Sequence, residues 1–358
     1  MKGAAMRAND WDILVVGGGP AGASAALSAA RQGVKVLLVE RRQLIGLPVQ
    51  CAEYIPALLK GQLGLKGDYV VQKIEGMRTF VPGQAVKEMT APGYIIRREL
   101  FDQCLVNAAL KAGAIVRCAT RVTSMNPEGD VTLVPRDGQA YMVRPRVIIG
   151  ADGPRSTIGR WVGSMNRHLL PGVQKTLPLT DPLEYTEIYF HPKIVAGYGW
   201  LFPKGRVANV GLGMLSPESG EPSVGNVLDG FIRRLKTHGK ICGVPVAHAT
   251  GWIPAEPVRN AVHGNVVLVG DAAGHTHPIT GAGIFTAVTC GELAGTHAAA
   301  AVTDNDMSIL KDYDREWQEL LGDMLTRAHC RRKQMETDWN SFNTIVKRCW
   351  VAFREYYV

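Results

Sequence analysis

The sequence predicts an α/β fold: a Rossmann-like parallel sheet, an inserted antiparallel sheet and a C-terminal helical segment. Three observations predict it. A glycine-rich loop near residue 20 leaves a short apolar run and opens an alanine-rich stretch. Two later apolar runs, near 150 and 268, each end in a turn of glycine and aspartate. Between 172 and 215, segments alternate polar and apolar residues with period two, as strands with one buried face do.

The elements follow in order. "DILVVGGGPAGASAALSAARQGVKVLLVE" predicts strand, loop, helix and strand, a parallel βαβ unit. "ILVV" and "KVLLVE" are continuous apolar runs suited to strands covered on both faces. The helix between them is rich in Ala, the best helix former, and Gly33 ends it. "ELFDQCLVNAALKAGAIVRC" repeats the helix-glycine-strand pattern, and "RVIIGADG" is a further buried strand. "EYTEIYFHP", "GYGWLFPKG" and "RVANVGLGM" predict strands of the second sheet, and "FIRRLKTHG" a helix. "GNVVLVGDAAG" returns to the parallel sheet, an Ala-rich helix follows, and everything beyond Asp304 is helical in pattern. The nucleotide-binding domain is expected over 1–170 and 255–300, the inserted sheet over 171–254, and C-terminal helices over 301–358.

Composition narrows the function classes. The chain has 358 residues, 46% of them hydrophobic, enough for a full core in one large or two joined domains. The formal charge of +8 comes from dispersed basic residues, which suits solvated surface or anionic ligands such as a dinucleotide or lipid phosphate. No nucleic-acid module is recognisable, and no nucleic-acid partner is expected. Seven cysteines, an odd count without a CxxC pair, point to a reducing cytoplasm. Three consecutive glycines interrupt the N-terminal apolar run, unlike a signal peptide, and no run of about 18 apolar residues predicts a membrane span.

Gly17, Gly19 and Gly22 form G-x-G-x-x-G between a strand and a helix. The first permits a tight turn, the second admits a pyrophosphate, and the third lets helix and strand pack closely. Ala21 lies within the loop, where phosphates meet the amides of the helix N-terminus. Glu40 ends the second strand, 40 − 22 = 18 residues past the last glycine. A carboxylate there can accept both ribose hydroxyls and repels a 2′-phosphate; Arg41 follows it. A dinucleotide of the FAD or NAD type is expected.

Two later motifs choose between these. "IIGADGPRSTIGR" carries Asp152-Gly153; "VVLVGDAAGHTHPITGAGI" carries Gly270-Asp271, then Pro278, Gly281, Ala282 and Gly283. With the glycine loop, they resemble the FAD-dependent oxidoreductases of the para-hydroxybenzoate hydroxylase fold. The resemblance implies that Asp271 binds the flavin ribityl and neighbouring phosphate, and that the Pro278–Gly283 segment lies over the isoalloxazine. The helix opening near Gly283 aims positive charge at a region that is anionic in reduced flavin. No second G-x-G-x-x-G exists, so the reductant, NAD(P)H or a reduced electron-carrier protein, is expected to dock transiently.

"GYGWLFPKGRVANVGLGM", "PVQCAEYIP" and "IIRRELFDQCL" sharpen the resemblance, over about residues 12 to 295, to the geranylgeranyl reductase family, which reduces isoprenoid double bonds. It implies Cys51 at the flavin and Arg98 among the cofactor-binding residues. It also implies Tyr198, Trp200 and Phe202 as a substrate-pocket wall, although their alternation alone says only one face of a strand. Lys204 would sit at the turn. His275 and His277 depart from the family pattern; they are expected beside the flavin as a pocket residue and a proton donor, with no carboxylate or cysteine set completing a metal site. Cys104, Cys118 and Cys290 are expected in the core.

The leading expectation is therefore a flavin-dependent reductase that delivers hydride to a carbon–carbon double bond of an isoprenoid or other apolar lipid. Cys51, Glu53, Tyr198 and His277 are the candidate proton donors, unranked because geometry precedes pKa in choosing an acid. The alternative is a monooxygenase acting on an aromatic or peptidyl substrate; a third is a flavin electron carrier. Only 358 − 283 = 75 residues follow Gly283, few for enclosing a long chain. In the tail, Trp339, Phe342, Ile345, Val346, Cys349, Trp350 and Phe353 recur at helical spacing with Lys347, Arg348 and Arg354 among them. That stripe either packs on its own protein or meets a membrane surface or partner.

Overall fold

The glycine loop lies at the carboxyl edge of a six-stranded sheet. The computed structural model describes residues 11–65, 67–257 and 260–358. In spatial order the sheet runs Val262–His263, Val266–Leu268, Pro145–Gly150, Trp11–Val16, Val36–Val39 and Ile115–Arg117. Every pairing is parallel except the first. Ile13, Leu14 and Val15 on the central strand are wholly buried, as a strand covered on both faces requires. Strands from three distant parts of the chain meet here, and their carboxyl ends open one crevice, the usual ligand position in such sheets.

Helices Pro20–Arg31 and Ile284–Thr303 pack with their backbones nearly touching. A Cβ at Gly291 would stand 2.3 Å from the Ala21 carbonyl oxygen, and one at Gly295 2.2 Å from that of Ala25. The small residues of both helices thus bring the second helix's N-terminus beside the glycine loop.

The second sheet has eight strands: Ala247–Pro254, Leu169–Pro178, Val207–Gly213, Tyr198–Lys204, Tyr185–Tyr189, Val70–Phe80, Lys87–Ile96 and Tyr54–Pro56. Five come from the stretch 171–254 or just before it. The other three come from 54–96, within the span assigned by sequence to the nucleotide-binding domain. Their pattern is broken by bulges in Val70–Phe80 and by glycines that the sheet needs: a Cβ at Gly93 would lie 2.4 Å from the Ile55 carbonyl oxygen. One face of this sheet packs on helix Val224–Thr237 through Leu228, Phe231, Ile232 and Leu235. The opposite face looks toward the crevice.

The tail consists of helices Leu310–Thr337 and Phe342–Cys349 and the segment after them. Its apolar stripe is inward: Trp339, Ile345, Val346, Cys349, Trp350 and Tyr356 are buried in one cluster with Ile188, Phe190 and Trp200. Trp350 Nε1–H donates to Thr79 Oγ1 at 2.9 Å and Trp339 Nε1–H to the Pro192 carbonyl at 2.9 Å. The chain's own core therefore covers that stripe, leaving Lys347, Arg348 and Arg354 outward. Among the described residues no helix is long and apolar enough to cross a membrane. Cys290 is fully buried, whereas Cys104 and Cys118 sit half-buried at the margin of a core cluster.

Candidate active site

A single cavity of about 650 Å³ joins the glycine loop to the open face of the second sheet. Gly17 has φ +109°, and a Cβ there would lie 2.3 Å from the Ala151 carbonyl oxygen; one at Gly22 would lie 2.0 Å from that of Gly17. Gly19 meets nothing within 4 Å: its open side is the cavity, at the N-terminus of helix Pro20–Arg31. That opening suits a pyrophosphate. Gly22 serves helix–strand packing instead and does not line the cavity.

Glu40, Arg41 and Ala21 line the crevice. The Glu40 carboxylate accepts Gly18 N–H and Arg42 N–H, both at 2.8 Å, which fixes its position beside the loop. Asp152 accepts from Ser156 Oγ at 2.5 Å and Thr157 N at 2.6 Å, so it caps its own turn while lining the cavity with Gly153. Asp271 is partly buried, lines the cavity and accepts from Thr276 Oγ1 at 2.7 Å. Burial pushes this carboxyl above its ordinary pKa, against the Thr276 hydrogen bond and the charge of Arg98. Gly281, Ala282 and Gly283 line the cavity; Gly270 and Pro278 do not.

The Cys51–Glu53 turn lies between the two halves. Its residues are tied to the second sheet: Gln174 Nε2–H donates to the Cys51 carbonyl at 3.1 Å, and Asn209 Nδ2–H to that of Ala52 at 3.3 Å. Trp200 Nε1–H fixes Gln174 through its Oε1 at 3.0 Å. Glu53 takes φ +71°, a strained conformation for this residue, and its carboxylate is fully engaged. One oxygen accepts Arg98 N–H at 3.0 Å; the other accepts Lys204 Nζ–H at 2.6 Å and Asn209 Nδ2–H at 2.9 Å. Glu53 thus anchors the turn while lining the cavity.

Arg98 reaches from the start of helix Arg98–Lys111 and pairs with Asp102 through Nε and Nη2, both at 3.0 Å. The Cys51 thiol accepts Glu53 N–H at 3.2 Å, and the charge of Arg98 acts on it. Burial pushes that thiol above its ordinary pKa, and the Arg98 charge pulls the other way.

Tyr198, Trp200 and Phe202 alternate with Gly199 and Leu201, so the three rings face the cavity while Leu201 packs toward helix Val224–Thr237. Met77, Met89, Ile188 and Trp350 complete an apolar surround. The Tyr198 hydroxyl donates to the Thr280 carbonyl and so ties the Pro278–Gly283 loop to the sheet, while its ring stays in the wall; burial raises its pKa strongly.

Both histidines are corrected. His275 is fully buried against Trp317, ring centroids 4.6 Å apart, and neither ring nitrogen has a partner. It does not line the cavity. His277 lies behind the loop: Nδ1 accepts from Ile279 N at 3.3 Å and Thr280 N at 3.1 Å, and Nε2 meets Tyr356 Oη at 3.2 Å. Burial lowers their pKa values to about 3 and about 4, so both rings are neutral. Among the described residues no three His, Cys, Asp or Glu side chains cluster as a metal site.

Arg42, Asp102, Gln174, Asn209 and Trp350 were not singled out by sequence as site residues. Asp102 and Asn209 lie inside the Arg-x-x-Phe-Asp and Ala-Asn-Val-Gly stretches, which carried the signal without assigning those side chains. Gln174 and Trp350 gave none, because only the sheet and the tail packing bring them to the cavity.

Family models match three stretches: an FAD dependent oxidoreductase over residues 12–47, an FAD binding domain over 76–187, and the geranylgeranyl reductase catalytic domain over 173–249. With the crevice and its open glycine, these define an FAD-dependent oxidoreductase. A digeranylgeranylglycerophospholipid reductase of Methanosarcina acetivorans is 37% identical over 87% of this chain and 81% of that protein. One from Methanopyrus kandleri is 35% identical over 91% of this chain and 90% of that protein. The chain belongs to the geranylgeranyl reductase family. Among solved structures, a geranylgeranyl bacteriochlorophyll reductase-like protein of Thermoplasma acidophilum superposes with TM-score 0.87 at 28% identity, covering 98% of this chain and 92% of that one. A flavin-dependent brominase, at TM-score 0.72 and 17% identity over 94% and 92% of the two chains, shares the fold alone.

Proposed function

We propose that this protein reduces carbon–carbon double bonds in the isoprenoid chains of a lipid, with FAD as its hydride source. The carrying observation is the continuity of one cavity from Gly19 to the Tyr198, Trp200 and Phe202 face, with Cys51 at the join. The relatives named digeranylgeranylglycerophospholipid reductase point to the substrate class. Gly19 and the adjoining helix amides would hold the pyrophosphate, Glu40 the ribose, and Asp271 the ribityl side. Bound FAD, once reduced, supplies the hydride. Its electrons come from NAD(P)H or an electron-carrier protein that docks from outside. Delivery of the lipid from a bilayer would use the outward Lys347, Arg348 and Arg354, an electrostatic contact weakened by salt.

An isolated alkene accepts hydride only as a proton reaches its other carbon. Of the four expected donors, Cys51 is the one left: Glu53 is held at both oxygens, Tyr198 donates to Thr280, and His277 lies behind the loop. The Cys51 S–H proton passes to the carbon, the sulfur keeps the bonding pair, and Arg98 stabilises the thiolate until solvent reprotonates it. Aromatic and thioether side chains around it hold the chain.

The test is anaerobic. Holoenzyme reduced with dithionite is mixed with a geranylgeranyl lipid under argon. Reappearance of the oxidised flavin spectrum together with saturated product is expected. No oxidation under argon, but substrate-bound oxygen after air is admitted, overturns the reading in favour of a monooxygenase.

A further inference from the structure

One wall of the cavity belongs neither to the FAD-binding sheet nor to the antiparallel sheet. Trp350 and Val351, contributed by the tail, line it. The Trp350 indole is only 1% exposed and is gripped on several sides. It lies 4.9 Å from the Tyr198 ring and 5.2 Å from that of Phe190, centroid to centroid, and its N–H is fixed on the wholly buried Thr79 hydroxyl. Met77 and Met89, which also line the cavity, are flexible thioethers that can rearrange around a guest. The indole cannot, because turning it would break the Thr79 hydrogen bond inside the core. The segment that carries it is itself secured: Arg331 donates to the Glu355, Tyr356 and Val358 carbonyls.

We propose that Trp350 is a specificity-determining residue, a rigid wall that limits the length of isoprenoid chain the cavity admits. The inference rests on the reductase reading for the chemistry of its ligand.

The experiment uses FAD-loaded full-length protein and the prenyl alcohols geraniol, farnesol and geranylgeraniol. Binding is measured by perturbation of the flavin absorbance, which needs no turnover; turnover is measured in parallel. Trp350→Ala is expected to favour the longest alcohol over the shortest by about tenfold relative to wild type, the low end of what one methylene is worth in an apolar pocket. Trp350→Phe, which keeps a ring in the core, is expected to shift the same ratio by about threefold, and it carries the test if the alanine variant fails to fold. Thr79→Val, which releases the indole N–H, should shift it in the same direction. A folded Trp350→Phe variant with the wild-type chain-length profile overturns the proposal. If wild type binds none of the three alcohols, the isoprenoid reading itself falls, a result distinct from an unchanged profile.

Discussion

Cys51 is the residue on which the proposed chemistry turns, and its surroundings say how it should behave. Its thiol is raised by burial and faces Arg98, so it is protonated at neutral pH yet leaves a stabilised anion. Cys51→Ser is expected to keep FAD and lose about a hundredfold in turnover, the usual contribution of a positioned acid. Wild-type turnover would return Cys51 to plain packing. Asp271→Ala is expected to lose most of the bound yellow cofactor, because the carboxylate sits beside Thr276 and the flavin loop; a variant with full FAD content would rule out that contact. The family resemblance, rather than local pattern, pointed to Cys51, and the turn that carries it lines the cavity. The placement of the histidines was not legible in the sequence. Adjacency to the flavin loop does not say which side of it a ring faces, and the turn sends His275 to Trp317 and His277 to Tyr356.

At the scale of elements, the Cys51–Glu53 turn is held by three others: the start of helix Arg98–Lys111, strand Leu169–Pro178 and the hairpin of strands Tyr198–Lys204 and Val207–Gly213. Glu53 is 3% exposed and Lys204 21%, so the pair is shielded but not fully dry. Lys204→Met should leave the Glu53 carboxylate buried with hydrogen bonds but no counter-charge. A loss of about 1–3 kcal/mol is expected, less than for a wholly buried pair. In a double-mutant cycle with Glu53→Gln, a coupling of about 1 kcal/mol or more is expected by chemical denaturation. Additive effects would mean that the pair does not act as a unit. The parallel sheet was legible because its strands are unbroken apolar runs. Strands Val70–Phe80 and Lys87–Ile96 were not, because bulges, glycines and long-range pairing, rather than local alternation, define them. The Gln174 and Asn209 contacts depend on that sheet's register, which local spacing does not encode.

For the whole molecule, the tail and the two buried histidines bear on stability. Truncation after Asp338 removes Trp339, Ile345, Val346, Trp350 and Tyr356 from a shared core, so it should yield insoluble protein or a sharply lowered Tm rather than a soluble enzyme detached from membranes. A soluble, FAD-loaded truncation with wild-type Tm would restore the surface reading of the tail. His275 and His277 act through pH. Their folded pKa values, about 3 and about 4, lie below the ordinary 6.5, so the unfolded chain binds protons that the folded chain refuses. Their contribution is therefore complete above pH 6.5 and is lost as pH falls toward about 4 for His277 and about 3 for His275. Each loses roughly 1.4 kcal/mol by about pH 5.5, one unit below the unfolded value. Asp102 and Asp271, both raised by burial, oppose this at the acid end, because protonation favours their folded forms. The informative quantity is thus the difference between two proteins. His275→Phe removes one titrating ring from a wholly apolar contact with Trp317, with no hydrogen bond to break. Its stability should fall less steeply than wild type between about pH 6.5 and 5, the gap widening by about 1 kcal/mol per unit. Parallel curves from urea denaturation over that range would show that His275 is reached by protons in the folded state, and that the core around Trp317 opens to water.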